Sequence, residues 1–95
     1  MKIHLELLGM PSFTKQLGSK QLSIELQGST VADAIDALLA RHGVAARRAL
    51  LDDAGELDLT VQILLNGREW ITHDSLHRSL VSGDKLSLIV LVAGG

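Results

Sequence analysis

The chain contains no cysteine and no tyrosine, and Phe13 and Trp70 are its only aromatic residues. The absence of cysteine excludes disulfides, thiolate metal sites, iron–sulfur ligation and a cysteine nucleophile. Because 46% of the residues are still hydrophobic, aliphatic side chains must fill the core. A chain of 95 residues supports one small domain, which we place at residues 1–95, with a flexible tail at residues 93–95.

The chain also lacks a strong net charge and a long apolar run. Its formal net charge is −2, and no basic run is longer than Arg47-Arg48, so nothing in the sequence favours nucleic-acid binding. The longest apolar stretch, Leu88–Ala93, is far shorter than the roughly 20 residues that span a bilayer. The first four residues do not resemble the start of a signal peptide. We therefore expect a cytoplasmic protein without nucleic-acid or membrane partners.

Alternation of apolar and polar residues predicts the strands of a sheet. Ile3, Leu5 and Leu7 mark a first strand, which Gly9-Met10-Pro11 ends before a polar loop. The other predicted strands are Gln21–Gln27, Leu59–Leu65, a short one at Arg68–Ile71 after the Asn66-Gly67 turn, and Leu86–Val92.

One main helix is predicted between the second and third strands. Thr30 and Asp33 have the spacing of a capping box, and apolar residues from Val31 to Leu39 share one helical face. Gly43 is expected to end this helix. Residues 44–57 are then predicted as a loop with at most one helical turn, and Ser75–Leu80 as a separate helical turn. The order of elements predicts an α+β β-grasp, a ubiquitin-like roll with a mixed sheet of about four to five strands and one main helix across one face.

The chain ends in Gly94-Gly95. Since glycine makes up about 7% of average proteins, two terminal glycines arise by chance with a probability of roughly 0.5%. Glycine lets a chain enter a narrow groove, and the terminal carboxylate could accept a nucleophile only after activation, for example as an acyl-adenylate. The terminus alone fits equally well with a frayed end and with a reactive handle for a partner enzyme.

Three segments together resemble the MoaD/ThiS family of ubiquitin-like sulfur carriers. They are Leu65-Asn66-Gly67, Ser82-Gly83-Asp84-Lys85-Leu86 and the terminal Val92-Ala93-Gly94-Gly95. The resemblance covers the whole chain. It implies that an adenylating enzyme of the ubiquitin-activating type, using ATP and Mg, activates the Gly95 carboxylate, with Gly94 as the spacer that enters its site. A sulfur donor then makes the thiocarboxylate, which supplies a sulfur-accepting biosynthetic enzyme.

The resemblance leaves the pathway open. Small subunits of molybdopterin synthase typically carry a Pro-Pro pair before the tail, where this chain has Leu91-Val92. The sulfur could serve molybdopterin, thiamine, a sulfur-containing amino acid or a related product. The chain itself is expected to be a carrier or the small subunit of a synthase, with no catalytic residue and no permanently bound cofactor. Two alternatives remain, a ubiquitin-like modifier conjugated through Gly95 and an interaction subunit whose tail is never activated.

Four residues are candidates for a partner interface. Ile89 and Leu91 lie on the face of the last strand opposite to its core-facing residues, and Leu64 lies on the corresponding face of the third strand. These three are therefore expected to form an apolar patch beside the tail. Trp70 is added because tryptophan is common at binding hot spots. The alternative is that the long loop covers this face or that the register shifts by one.

No metal site is expected. His73 and His77 have the spacing of two ligands on a helical turn, but the remaining ligands of a zinc motif are missing. The acidic residues between Asp52 and Asp58 lack the pattern of a calcium loop. We interpret them as a solvated acidic loop, with steering of a basic partner as the alternative.

Overall fold

A computed structural model, which describes residues 1–91, contains one mixed sheet. Its strands are β1 (Lys2–Leu8), β2 (Gln21–Glu25), β3 (Val61–Leu65), β4 (Glu69–Ile71) and β5 (Lys85–Val90). They lie in the order β2-β1-β5-β3-β4. β1 and β5 pair in parallel at the centre, and the remaining neighbours are antiparallel. With one main helix beside this sheet, the predicted β-grasp is confirmed.

The main helix, α2 (Val31–Leu50), begins at the predicted capping box. The Asp33 N–H donates to the Thr30 hydroxyl at 3.1 Å, and the Asp33 carboxylate accepts the Thr30 N–H at 3.1 Å and the Ser29 N–H at 2.9 Å. The hydrogen bond from the Ser29 backbone, followed by those from Thr30, holds the pKa of Asp33 below its ordinary value. The buried face consists of Val31, Ala34, Ile35 and Leu38 at helical spacing.

The prediction that Gly43 ends this helix, with a loop over residues 44–57, was wrong. Gly43 does leave helical geometry, with φ 54° and ψ −127°, but a second helical segment follows it to Leu50. Ala46 and Leu50 are fully buried in that segment. Because alanine and leucine favour helix and these two side chains reach the core, the chain resumes the helix after the kink.

The predicted polar loop after β1 was also wrong, because it contains the short helix α1 (Pro11–Leu17). Pro11 occupies the first turn, where its missing N–H costs no hydrogen bond. Gly18 ends the helix in the left-handed conformation. Phe13 is buried and meets the ring of His42 edge-on, with 5.8 Å between ring centroids. This contact packs α1 against α2.

Several predicted boundaries are corrected. The third strand begins at Val61, and Leu59, once placed within it, is 80% exposed. The Asp58 carboxylate accepts the Thr60 N–H at 2.8 Å and the Thr60 hydroxyl at 2.7 Å, which forms a turn immediately before the strand. A 3-10 turn lies at His73–Ser75, earlier than the helical turn predicted from Ser75. β5 ends at Val90, whereas the prediction extended to Val92, which lies outside the described residues.

The core lies between the sheet and the helices. Ile3, Leu5 and Leu7 point inward from β1, and Leu86 and Leu88 do so from β5, all essentially without solvent exposure. Parallel pairing sets Leu5 beside Leu86 and Leu7 beside Leu88, so two central strands contribute matched rows of aliphatic side chains. Among residues 1–91, no helix is long and apolar enough to cross a bilayer.

Candidate functional site

The two turns that carry the resemblance lie against each other. The Asn66 side-chain N–H donates to the Asp84 carboxylate at 2.9 Å, and the Asn66 side-chain oxygen accepts the Lys85 N–H at 2.9 Å. The other Asp84 oxygen accepts the Val81 N–H at 2.8 Å. Asn66 has φ 53°, a left-handed conformation that asparagine tolerates better than most residues. This network joins the β3–β4 turn to the start of β5.

The same end of β5 is also held by β1. The His4 N–H donates to the Asp84 carbonyl at 2.9 Å, and the Gly83 N–H donates to the Lys2 carbonyl at 2.8 Å. At the far end of β5, the Leu91 N–H donates to the Thr60 carbonyl at 3.2 Å. β5 is therefore fixed from its first residue to the point where the C-terminal segment leaves.

Gly9 permits the close packing of β1 against the end of β5. Its φ is 76°, and a Cβ atom at this position would collide with the Val90 carbonyl. Any other residue would push Val90 away or change the backbone at Gly9. The sequence marked Gly9 only as the end of a strand, because the contact depends on the parallel pairing of distant segments.

The outer face of the sheet carries one row of side chains across four strands. Pairing sets Leu64 between Trp70 on β4 and Ser87 on β5, and Ser87 in turn beside Glu6 on β1. Trp70 is 60% exposed and Leu64 is half-buried. Leu64 and Trp70, predicted separately as interface candidates, are thus directly opposite each other.

A second row lies closer to the C-terminal segment. It contains Ile89, paired with Leu8 on β1 and with Gln62 on β3. Leu91 follows on the same side of the chain and is 59% exposed, whereas Ile89, predicted as exposed, is half-buried. Leu8 was missed as a member of this surface. It is an apolar residue at an outward position of β1, and this departure from alternation was the available signal.

Ser87 is only 3% exposed, although alternation along β5 places its side chain on the outer face of the sheet. Its hydroxyl donates to the Glu6 carboxylate at 2.9 Å, and the Lys85 ammonium lies 3.8 Å from the same carboxylate oxygen. Glu6, Lys85 and Ser87 thus form a polar part of the outer face beside the start of β5, while Leu64 and Trp70 continue the row of Ser87 with apolar side chains. We name the apolar part, formed by Leu8, Leu64, Trp70, Ile89 and Leu91, the outer patch.

The β4 edge beside Trp70 is held by an ion pair. Two nitrogens of the Arg78 guanidinium donate to the Glu69 carboxylate oxygens at 2.9 and 3.0 Å. Hydrogen bonding to Arg78 holds the pKa of Glu69 below its ordinary value. The pair links the loop before β5 to the strand that carries Trp70.

The remaining candidates have local structural roles. The His73 ring is hydrogen-bonded to the Val61 carbonyl at 2.8 Å, and residues 1–91 contain no group of three or more ligands able to hold a metal ion. In the acidic loop, the Asp52 carboxylate accepts the N–H groups of Ala54 and Glu56 at 2.9 and 3.0 Å. Hydrogen bonding from Thr60 holds the pKa of Asp58 below its ordinary value.

Gly94 and Gly95, predicted as spacer and modified residue, lie outside the described residues, as does the predicted flexible tail at residues 93–95. The described chain ends at Leu91, beside the outer patch. Any chemistry at the terminal carboxylate would therefore occur within a few residues of this surface.

The fold defines a ubiquitin-like β-grasp protein. The model of the ThiS family matches residues 12–95, and the chain belongs to this family. Over 95 residues it is 35% identical to small archaeal modifier protein 3 of Haloferax volcanii, an alignment covering 98% of this chain and 100% of the relative.

Two solved structures show the same fold. The crystal structure of SAMP1 from Haloferax volcanii superposes with a TM-score of 0.79 and 29% identity, covering 100% of both chains. A chain of the BexX/CysO complex from Amycolatopsis orientalis superposes with a TM-score of 0.69 and 26% identity, covering 98% of this chain and 99% of that one. The predicted MoaD/ThiS type is confirmed.

Proposed function

We propose that this protein is a sulfur carrier whose Gly95 carboxylate is adenylated by a ubiquitin-activating-type enzyme and converted to a thiocarboxylate. The observation that carries the proposal is the Gly94-Gly95 terminus, which follows β5 by only a few residues in a chain of the ThiS family. The protein acts as a substrate of its partners and contributes no catalytic residue.

The chemistry explains why partners are needed. An ionised carboxylate is a poor electrophile at neutral pH, so the activating enzyme uses ATP and Mg to form the acyl-adenylate and release pyrophosphate. A persulfide sulfur then attacks the acyl carbon and expels AMP. A thiol cleaves the resulting acyl disulfide, which leaves the thiocarboxylate on Gly95 and a disulfide on the donor.

The outer patch is the proposed contact for these partners. Trp70 and Leu91 are well exposed, and Leu64 and Ile89 complete the outer patch, which includes the last described residue. Gly95 follows Leu91 by four residues, so an enzyme that covers this surface would have its active site within reach of Gly95. The two glycines would let the terminus enter a narrow channel. The CysO relative is named in a complex with a protein partner, which supports partner binding.

Intact mass spectrometry tests the proposal. The protein is incubated with its activating enzyme, ATP, Mg and a persulfide donor. We expect the mass gain of one oxygen replaced by sulfur, located at Gly95 by fragmentation, and no gain in a variant lacking Gly94 and Gly95. If the full chain keeps its mass with every activating-type enzyme of its organism, or if the truncated chain retains biological function, the proposal is wrong.

A second function is conjugation to proteins through Gly95. The name of the 35% identical relative, small archaeal modifier protein 3, favours it. A lysine amine of a target would then attack the acyl carbon of the same acyl-adenylate, which forms an amide bond and expels AMP. Cell extracts should contain higher-mass conjugates that disappear when Gly94-Gly95 is deleted. Their absence, together with a positive mass test, would leave sulfur transfer as the function.

A further inference from the structure

A groove lies where α1 meets the second segment of α2. Its volume is about 600 Å³, and apolar and polar atoms contribute about equally to its walls. The lining includes Met10, Pro11 and Phe13 from the α1 side and Val44, Ala45 and Ala49 from α2. This groove is separate from the outer patch, because the helices pack on the opposite face of the sheet.

Among residues 1–91, Arg48 is the only charged residue that lines the groove. Within residues 1–91 its guanidinium takes part in no ion pair. The neighbouring Arg47 is also exposed but does not line the groove. A ligand for this groove should therefore combine apolar atoms with one negative charge.

The end of the chain has this chemistry and lies within reach. Val90 is itself part of the groove wall, and four residues, Val92–Gly95, follow Leu91. They span at most about 14 Å when extended. They provide one branched apolar side chain, two glycines that can turn sharply, and the terminal carboxylate.

We propose that Val92–Gly95 docks into this groove, with Val92 among its apolar side chains and the Gly95 carboxylate against the Arg48 guanidinium. The docked segment withholds the carboxylate from the activating enzyme, and its release exposes the substrate for adenylation. This regulatory role rests on the proposed function, but the docking itself does not. A second copy of the chain or a segment of another protein would be a different occupant.

NMR on the isolated protein tests the docking without a partner enzyme. The Gly95 carboxyl carbon is labelled and titrated in wild type, Arg48→Gln and the matched control Arg47→Gln. The titration midpoint should lie at least about 0.3 pH unit lower in wild type and Arg47→Gln than in Arg48→Gln, since a nearby cation favours the ionised carboxylate. Deleting Val92–Gly95 should shift the amide signals of Phe13, Ala45 and Ala49.

Several outcomes would overturn the proposal. They are equal titration midpoints of the Gly95 carboxyl in all three proteins, equal shifts of this midpoint by Arg47→Gln and Arg48→Gln, and groove amide signals that do not change when Val92–Gly95 is deleted. Dependence of the groove shifts on protein concentration would instead identify a second copy. Unchanged amide signals in the sheet show that each variant keeps its fold. Because no enzyme is present, the result on docking does not depend on whether Gly95 is adenylated.

The regulatory consequence has its own measurement. With limiting activating enzyme, Arg48→Gln should be adenylated faster than wild type, by a factor of up to the reciprocal of the fraction of time that the segment spends undocked. Arg47→Gln should match wild type. A slower or unchanged reaction of Arg48→Gln would contradict the regulatory role, while a complete lack of adenylation in all variants would contradict the proposed function instead.

Discussion

Asn66 and Asp84 belong to two separately predicted turns, and a hydrogen bond between their side chains joins these turns in the fold. Each belongs to a turn that the sequence predicts, but 18 residues separate them along the chain. Turn propensities are local, so they identify each turn without showing that the two side chains meet. In the folded chain their contact fixes the start of β5 against β3.

Replacing Asn66 with glycine tests this contact. Glycine keeps the positive φ at this position and removes only the side-chain hydrogen bonds. We expect the free energy of unfolding to fall by about 1–2 kcal/mol, as for the loss of two hydrogen bonds with net values near 1 kcal/mol. Chemical denaturation measures it, with Gln27→Ala, an exposed change without such contacts, as control. An unchanged stability would show that the network does not hold β5.

Asp33 gives a pH-dependent contribution to stability. Its pKa is lowered in the folded state by hydrogen bonds from Ser29 and Thr30, so its contribution is present above the unfolded pKa and is lost as pH falls through the folded value. Asp33→Asn should be less stable than wild type at neutral pH, and the difference should shrink below about pH 4. Denaturation across pH checks this, with Asp36→Asn as control. A difference independent of pH would contradict the account.

The helices show where local patterns fail. α1 has only Phe13 and Leu17 as apolar periodic residues, too few to distinguish a short helix from a loop. After Gly43 the run of alanines and arginines has helical propensity but follows a residue that normally ends a helix. Burial of Ala46 and Leu50 decides the outcome, and burial depends on the whole fold.

The kink at Gly43 is expected to require glycine. Its φ of 54° with ψ of −127° lies near a region that other residues rarely occupy, at a cost of about 1–3 kcal/mol. Gly18 provides the comparison, because its φ of 77° and ψ of 8° are left-handed helical and a Cβ atom meets nothing within 4 Å at either site. Gly43→Ala should lower the thermal midpoint more than Gly18→Ala. The reverse order would show that the helix adapts to the substitution.

The strands could be predicted more closely than the helices. Period-two alternation located β1, β2 and β3, and the turns at Asn66-Gly67 and Ser82-Gly83-Asp84 located β4 and β5. Their ends were less accurate, as at Leu59, where the hydrogen bonds of Asp58 to Thr60 form a turn within an alternating pattern. Side chains that compete for backbone hydrogen bonds are difficult to weigh from sequence alone.

The sheet pairs β1, near the start of the chain, with β5, the last strand of the described residues. Parallel pairing of β1 with β5 sets Leu8 beside Ile89 and Glu6 beside Ser87, contacts that no local pattern could predict. The sequence could identify Leu64, Trp70, Ile89 and Leu91 as candidates from alternation and residue type. Their role in partner binding remains a prediction.

Trp70→Ala tests the outer patch as a partner surface. Loss of this aromatic contact should weaken binding to the activating enzyme by roughly tenfold or more, as for interface hot spots. Because Trp70 is largely exposed, the thermal midpoint should change little. Val81→Ser, which removes an exposed apolar side chain from the loop before β5, should bind as wild type does. Equal affinities in all three proteins would exclude this surface.

Pyrophosphate exchange tests the central claim most directly. A ubiquitin-activating-type enzyme that forms an acyl-adenylate on Gly95 will return labelled pyrophosphate to ATP only when this chain is present. We predict exchange with the full chain and its loss when Gly95 is deleted, with the fold retained because a terminal glycine has no side chain to contribute to a core. Exchange that continues undiminished without Gly95 would contradict the assignment of the terminal carboxylate as the activated group.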